Sequence, residues 1–190
     1  MALSEHELAI RSGTVSSSRA PGVLGVCPFK KPSDVYKEVL NELDGGEYVP
    51  KRPTLAMLEG TYGEAVVVGL VKELYGMEIL PAEPLRISER LSDNTDGLVI
   101  EDGVKIPVEI KTVSQWWHWT SGCPDYYLPQ VDMHIMAWDA PYGYTIGWCK
   151  GKEPFVHKIQ RNKHREQQLI VAIDRFFDEH IAKRIMPVDD

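Results

Sequence analysis

The chain lacks any apolar run long enough to cross a bilayer. Its longest apolar stretches, around Ala65 to Val71 and Ile135 to Trp138, fall far short of the roughly 20 residues a spanning helix needs. A helical membrane protein is therefore excluded. Cysteine is scarce: Cys27, Cys123 and Cys149 are widely spaced and form no C-x-x-C pair, so neither a disulfide framework nor a four-cysteine zinc or iron–sulfur site can be assembled. Positive charge is also in short supply. Lys and Arg number 21 against 28 Asp and Glu, a net charge of −7, which argues against a protein that coats nucleic acid by bulk electrostatics. It leaves open one whose basic residues cluster, or whose bound metal ions invert the local field. There is no internal repeat, no low-complexity tract, and no linker rich in Gly or Pro. The opening residues, MALSEHELAIRSG, carry acidic groups where a secretory signal would carry basic ones and have no continuous apolar stretch, so a cytoplasmic location is expected.

What is present is the composition of an ordinary globular protein, 43% hydrophobic and 26% charged over 190 residues. One domain over 1–190 is the expectation. Pro32-Ser33-Asp34 ahead of Val35, Val39, Leu40 and Leu43, with Gly45-Gly46 behind, predicts a capped and stopped helix. A longer helix is predicted over Thr54 to Tyr75 and closed by Gly76; its interior glycines Gly60, Gly63 and Gly69 imply that something packs or binds closely there. From Glu78 to Thr112, short apolar runs separated by Asn-Thr-Asp-Gly and Glu-Asp-Gly predict a strand meander. A helix follows over Tyr126 to Asp139, then strands over Tyr144 to Cys149 and Pro154 to Gln160, then a final helix from about Asn162 to Met186. Helices, meander, helix, two strands and helix imply an α/β (α+β) fold, a mixed sheet flanked by helices.

The most informative residues are Asp96-Gly97 and Glu109-Ile110-Lys111. Strand side chains alternate, so Glu109 and Lys111 share one face while Ile110 points into the opposite layer. A hairpin can bring Asp96 to the same end of the sheet. Two carboxylates and the Ile110 carbonyl make a hard, all-oxygen site suited to Mg²⁺ or Mn²⁺, and the lysine can hold a phosphate or an attacking water. The competing reading places Glu109 and Lys111 on the solvent face of an amphipathic strand. Gly60-x-x-x-Glu64 puts a further carboxylate one helical turn after a glycine, and Gln130 sits near the start of the next helix, where its amide could orient a phosphate or the lysine. Pro107 lacks a ladder donor and requires its strand to start there or to run along an edge. His118 and His134 read as ordinary polar residues rather than metal ligands, because hard Mg²⁺ prefers oxygen.

Four blocks in order carry a resemblance over nearly the whole chain. Arg11-Ser12-Gly13-Thr14-Val15-Ser16-Ser17-Ser18, followed by Val23-Leu24-Gly25 and Pro28-Phe29-Lys30-Lys31-Pro32-Ser33, is similar to an R-x-G-x-[IV]-[ST]-x-S block. Glu59 to Glu64 matches a G-x-x-x-E helix, Asn94 to Leu98 with Glu109 to Lys111 matches a DGL…[DE]-x-K core, and Gln130 to His134 is similar to a Q-V-Q helix. Together they resemble the lambda exonuclease/YqaJ branch of the PD-(D/E)XK nucleases. The chain departs from that pattern at Thr95, where a proline is common, and at Asp132, where a second glutamine is usual.

The resemblance implies a single nuclease domain: an N-terminal 5′-phosphate-recognition region over 1–50, a catalytic core over 54–161 and a C-terminal helix over 162–190. Asp96, Glu109 and the Ile110 carbonyl would hold divalent metal, two Mg²⁺ or Mn²⁺ ions, with Glu64 completing the site. Lys111 would position and activate water, Gln130 would orient Lys111 or the phosphate, and Arg11 and Ser18 would recognise a terminal 5′-phosphate. The implied activity is a DNA exonuclease acting 5′ to 3′ on duplex ends in phage-type recombination. A ring-shaped homotrimer and a single-strand annealing partner are further implications. Within the class, a nuclease of single-stranded or flapped DNA is the alternative; outside it, a non-catalytic DNA-binding module that keeps the fold. Lys30, Lys31, Lys51 and Arg52 could guide the DNA backbone. Trp116, Trp117 and Trp119 read either as packing under a loop or, for Trp117, as a face on which a base stacks.

Overall fold

The computed structural model describes residues 5–46 and 52–189. Among the described residues, seven strands and six α-helices fold as two sheets between helices. The larger sheet has the order β4-β5-β6-β7, built from β4 (Gly97–Glu101), β5 (Val104–Thr112), β6 (Tyr142–Trp148) and β7 (Phe155–Gln160). It is mixed: β5 runs antiparallel to β4 and parallel to β6, and β7 antiparallel to β6. A parallel pair needs a crossover connection, and α5 (Leu128–Ala137) provides it between β5 and β6. The smaller sheet, with β1 (Val15–Ser16) and β2 (Leu85–Arg86) on either side of β3 (Leu91–Asp93), holds the N-terminal block against the strand that leads to Asp96.

Local chemistry explains the helix limits. Thr54 Oγ1 accepts the Met57 N–H at the start of α4 (Leu55–Tyr75), and Gly76 closes that helix with φ +66°. The α3 helix (Pro32–Leu43) begins with proline in its first turn and an Asp34 carboxylate that accepts the Lys31 N–H. Asn162 caps α6 (Lys163–Arg175) through the N–H groups of His164 and Arg165. The final helix ends earlier than its apolar pattern predicts. After Arg175 the chain widens into a π-helical turn over Phe176–Ile181, which buries Phe176, Phe177 and Ile181 together, and Met186 lies beyond it, exposed. The helix predicted over Tyr126 to Asp139 is a 3₁₀ turn, Asp125–Tyr127, leading into α5.

Alternation along β5 divides two layers. Val108 and Ile110 pack with Val67 and Val71 of α4, joined by Val99, Ile106 and Ile146. The next residues, Glu109 and Lys111, face the α5 side. A second core joins Val35, Tyr36 and Val39 of α3 to Met133 of α5, Leu169 and Ile173 of α6, and the π turn. Four short elements escaped the sequence: α1 (Glu5–Arg11), β1, α2 (Ala20–Val23) and a 3₁₀ turn, Trp116–Trp119. Pro107 interrupts neither neighbour. Leu98, its partner on β4, exchanges both its backbone hydrogen bonds with Leu80, so Pro107 occupies a pair that needs no N–H. The expectation that the strand starts at Pro107 or runs along an edge is not met: β5 begins at Val104 and is an inner strand, and its registered pairing to β6 begins only at Val108. No helix among the described residues is long and apolar enough to cross a membrane.

Candidate active site

The turn before β4 places Asp96 where β5 loses its antiparallel neighbour. Gly97 is required here: a Cβ would meet Ile79 Cγ2 at 2.4 Å and the Leu80 carbonyl at 2.9 Å. Asp96 Oδ2 then accepts the Ile110 N–H at 2.7 Å, taking the place of a ladder carbonyl. Because N–H and C=O of one strand residue project to the same edge, the Ile110 carbonyl lies along this open side as well. Thr95, where the resembled pattern often has proline, donates its hydroxyl to the Val108 carbonyl at 2.8 Å and so pins the same turn.

Glu109 is 1% exposed, which rules out the solvent-face reading. Its Oε1 accepts Gln130 Nε2 at 2.7 Å and pairs with Lys111, and its Oε2 meets His134 Nε2 at 2.7 Å. The other imidazole nitrogen, Nδ1, lies 2.6 Å from Asp93 Oδ1. Lys111 is partly buried and sits over the Tyr127 ring, 5.4 Å from its centre. Burial alone would raise the Glu109 pKa, but Lys111 and then His134 more than offset it and hold the group at about 2. Burial would likewise lower His134, yet Asp93 and Glu109 raise it to about 10. Asp96 moves the other way: desolvation, then the Glu109 charge, pushes it up to about 7.

A cavity of about 220 Å³ opens beside these groups, with His134 and Tyr127 behind its lining. Asp96, Glu109, Lys111 and Gln130 line it together with Arg11 and Ser18, so six of the residues picked out from the sequence share one space. The N-terminal block reaches it because β1 pairs with β3, Ser16 opposite Ser92. Arg19, 1% exposed, braces the block from beneath by donating to the Thr14 carbonyl and to Glu38 and Glu42.

Other expected residues stand elsewhere. Glu64 is exposed on α4, does not line the cavity and makes no hydrogen bond to Asp96, Glu109 or Lys111; local desolvation, with a contribution from the Glu109 charge, raises its pKa. Its neighbour Gly63, not Gly60, is the close approach: a Cβ on Gly63 would meet Thr112 Oγ1 at 2.5 Å, whereas one on Gly60 or Gly69 would meet nothing. Trp117 is 53% exposed and outside the cavity lining, while Trp119 is buried against Gly147. Lys30 is paired to Glu38, Lys31 and Arg52 are exposed, and Lys51 lies outside the described residues. Asp132 takes a bidentate pair from Arg165, at 2.7 and 2.8 Å, and so ties α5 to α6.

Two site residues went unread. His134, taken as ordinary, and Asp93, not singled out, are both buried in the constellation. The available signal was spacing: His134 follows Gln130 by one helical turn, and Asp93 precedes Asp96 on one short segment.

Among the described residues no cluster of three or more His, Cys, Asp or Glu forms a ready-made metal cage. The donor chemistry nonetheless fits a hard cation. The cavity wall holds four carboxylates, Glu7, Asp93, Asp96 and Glu109, against two basic side chains, Arg11 and Lys111. A phosphate would enter that field only if cations offset it, and Asp96, accessible from the cavity, carries the unfavourable charge that a cation would stabilise.

Comparison with known proteins gives the same frame. The fold is similar to an alkaline exonuclease from Laribacter hongkongensis, with TM-score 0.78 and 19% identity over 96% of this chain and 94% of that one. The same enzyme in complex with dAMP gives TM-score 0.80 over the same shares at the same identity. A phage-related exonuclease from Haemophilus somnus 129PT gives TM-score 0.64 and 14% identity over 90% of this chain and 96% of that one. No curated protein matches in sequence. The YqaJ-like viral recombinase domain matches residues 8–138, and the chain belongs to that family.

Proposed function

We propose that the chain is a divalent-metal-dependent DNA exonuclease, degrading duplex ends 5′ to 3′ in phage-type recombination in the cytoplasm. One observation carries the reading: a single cavity joins the Asp96, Glu109, Lys111 and Gln130 constellation to Arg11 and Ser18. Family membership and the alkaline exonuclease neighbours support it. Asp96, Glu109 and the Ile110 carbonyl would hold two Mg²⁺ or Mn²⁺ ions, with Glu64 contributing from the margin. Bound there, a divalent cation supplies a Lewis acid that neutralises phosphoryl charge and lowers the pKa of a nearby water.

The chain's own groups do the rest. Lys111, held on Glu109, orients water and phosphate, and its charge favours the pentacoordinate phosphorus over the ground state. Gln130 fixes Glu109 from α5. Arg11 and the Ser18 hydroxyl contact a terminal 5′-phosphate, which places the first scissile bond at the carboxylates. Exposed Trp117 offers a face to an unpaired base. A homotrimer and a single-strand annealing partner belong to the same proposal. Incubation of linear duplex DNA with Mg²⁺ should release nucleotides, and EDTA should stop it; binding without hydrolysis in Mg²⁺ or Mn²⁺ would instead leave a DNA-binding module with an unused site.

A further inference from the structure

We infer that Asp93 and His134 form a positioning pair for Glu109, fixing the carboxylate so that it holds a divalent cation tightly. The inference rests on the reading above that Glu109 is a metal ligand. His134 and Asp93 are 1% and 2% exposed and come from different layers, α5 and the small sheet. They meet at 2.6 Å, and the opposite ring nitrogen meets Glu109 Oε2 at 2.7 Å. One turn earlier on α5, Gln130 holds Oε1. Both oxygens of Glu109 are therefore gripped from one helix face, and Asp93 orients the ring that grips the second.

A carboxylate fixed in this way loses little further freedom when a cation arrives, and each of its oxygens has two lone pairs. Oε2 accepts one hydrogen bond and keeps a lone pair free. A purely structural tie between β3 and α5 explains the arrangement less well. Buried polar groups cost free energy unless satisfied, and Asp93 Oδ2 is buried at the cavity wall with no hydrogen-bond partner among the described residues.

The test is Mn²⁺ binding by the full chain without DNA, read from the electron paramagnetic resonance signal of free Mn²⁺, with circular dichroism of the metal-free proteins as the fold control. His134→Leu should lower Mn²⁺ affinity on the order of 10- to 100-fold, and His134→Gln, which keeps an N–H donor, should recover part of the loss. Asp93→Asn should weaken binding severalfold, and Asp93→Asn with His134→Leu should bind no worse than His134→Leu alone, because Asp93 acts through the ring. If His134→Leu fails to fold, Asp93→Asn carries the test, and unchanged affinity there overturns the inference. So does wild-type affinity in a folded His134→Leu, or a double variant in which the two losses add. Absence of Mn²⁺ binding by the wild type would remove the metal reading itself, a result distinct from normal binding that is indifferent to His134.

Discussion

Asp96 Oδ2 accepts the backbone N–H of Ile110 at 2.7 Å, at the point where β5 has run past the end of β4. One carboxylate thus both completes the sheet edge and stands beside Glu109. In Asp96→Asn the amide oxygen still accepts that N–H while the unfavourable charge is gone. Folding stability in EDTA should therefore hold or rise, as read by urea denaturation, while metal-dependent cleavage falls by at least about 100-fold. A variant that unfolds, or that cleaves at the wild-type rate, contradicts the assignment.

Arg11 and Ser18 line the cavity from a segment held by β1. If they read the terminal phosphate, Arg11→Ala and Ser18→Ala should each narrow the rate advantage of 5′-phosphorylated over 5′-hydroxyl duplex, by roughly 10- to 150-fold for the arginine because a charged hydrogen bond is worth roughly 1.5–3 kcal/mol. Equal slowing on both substrates would show a general role instead.

Packing distinguishes two glycines of one helix. Gly63→Ala places a methyl 2.5 Å from Thr112 Oγ1 and should destabilise by about 1–3 kcal/mol. Gly60→Ala meets open space and should stabilise by about 0.5–1 kcal/mol through helix propensity alone. Denaturant midpoints should move in opposite directions.

Acid stability follows from Glu38. Burial would raise its pKa, but Lys30 and Arg19 more than offset this and leave it below the ordinary glutamate value. A depressed folded-state pKa stabilises above the unfolded value, about 4.3, and the stabilisation is lost as pH falls through the folded value. Glu38→Gln should therefore lose less stability than wild type between about pH 6 and about pH 3 by urea titration. Identical losses would mean that the pair contributes nothing.

The readable parts of this molecule were those fixed by local chemistry. Thr54 and Gly76 announced α4, the alternation of Val108, Glu109, Ile110 and Lys111 gave the two faces of β5, and Asp-Gly marked the turn into β4. Elements made by distant partners stayed hidden. Two-residue β1 exists because Leu91 and Ser92 lie beside it, and α2 is a single turn packed in the second core, with α3 and α6. His134 was misread for the same reason, since its two carboxylates come from β3 and β5, 41 and 25 positions away. Gly60, Gly63 and Gly69 read alike because spacing shows a glycine but not what stands across from it.

The most direct test of the central claim uses linear duplex DNA labelled at one end, with and without a 5′-phosphate, in Mg²⁺ or EDTA, comparing wild type with Lys111→Ala. The account predicts Mg²⁺-dependent release of mononucleotides, faster from 5′-phosphorylated ends and lost in Lys111→Ala. Undiminished cleavage by Lys111→Ala, or no cleavage of any DNA by the wild type in either divalent metal, would contradict it.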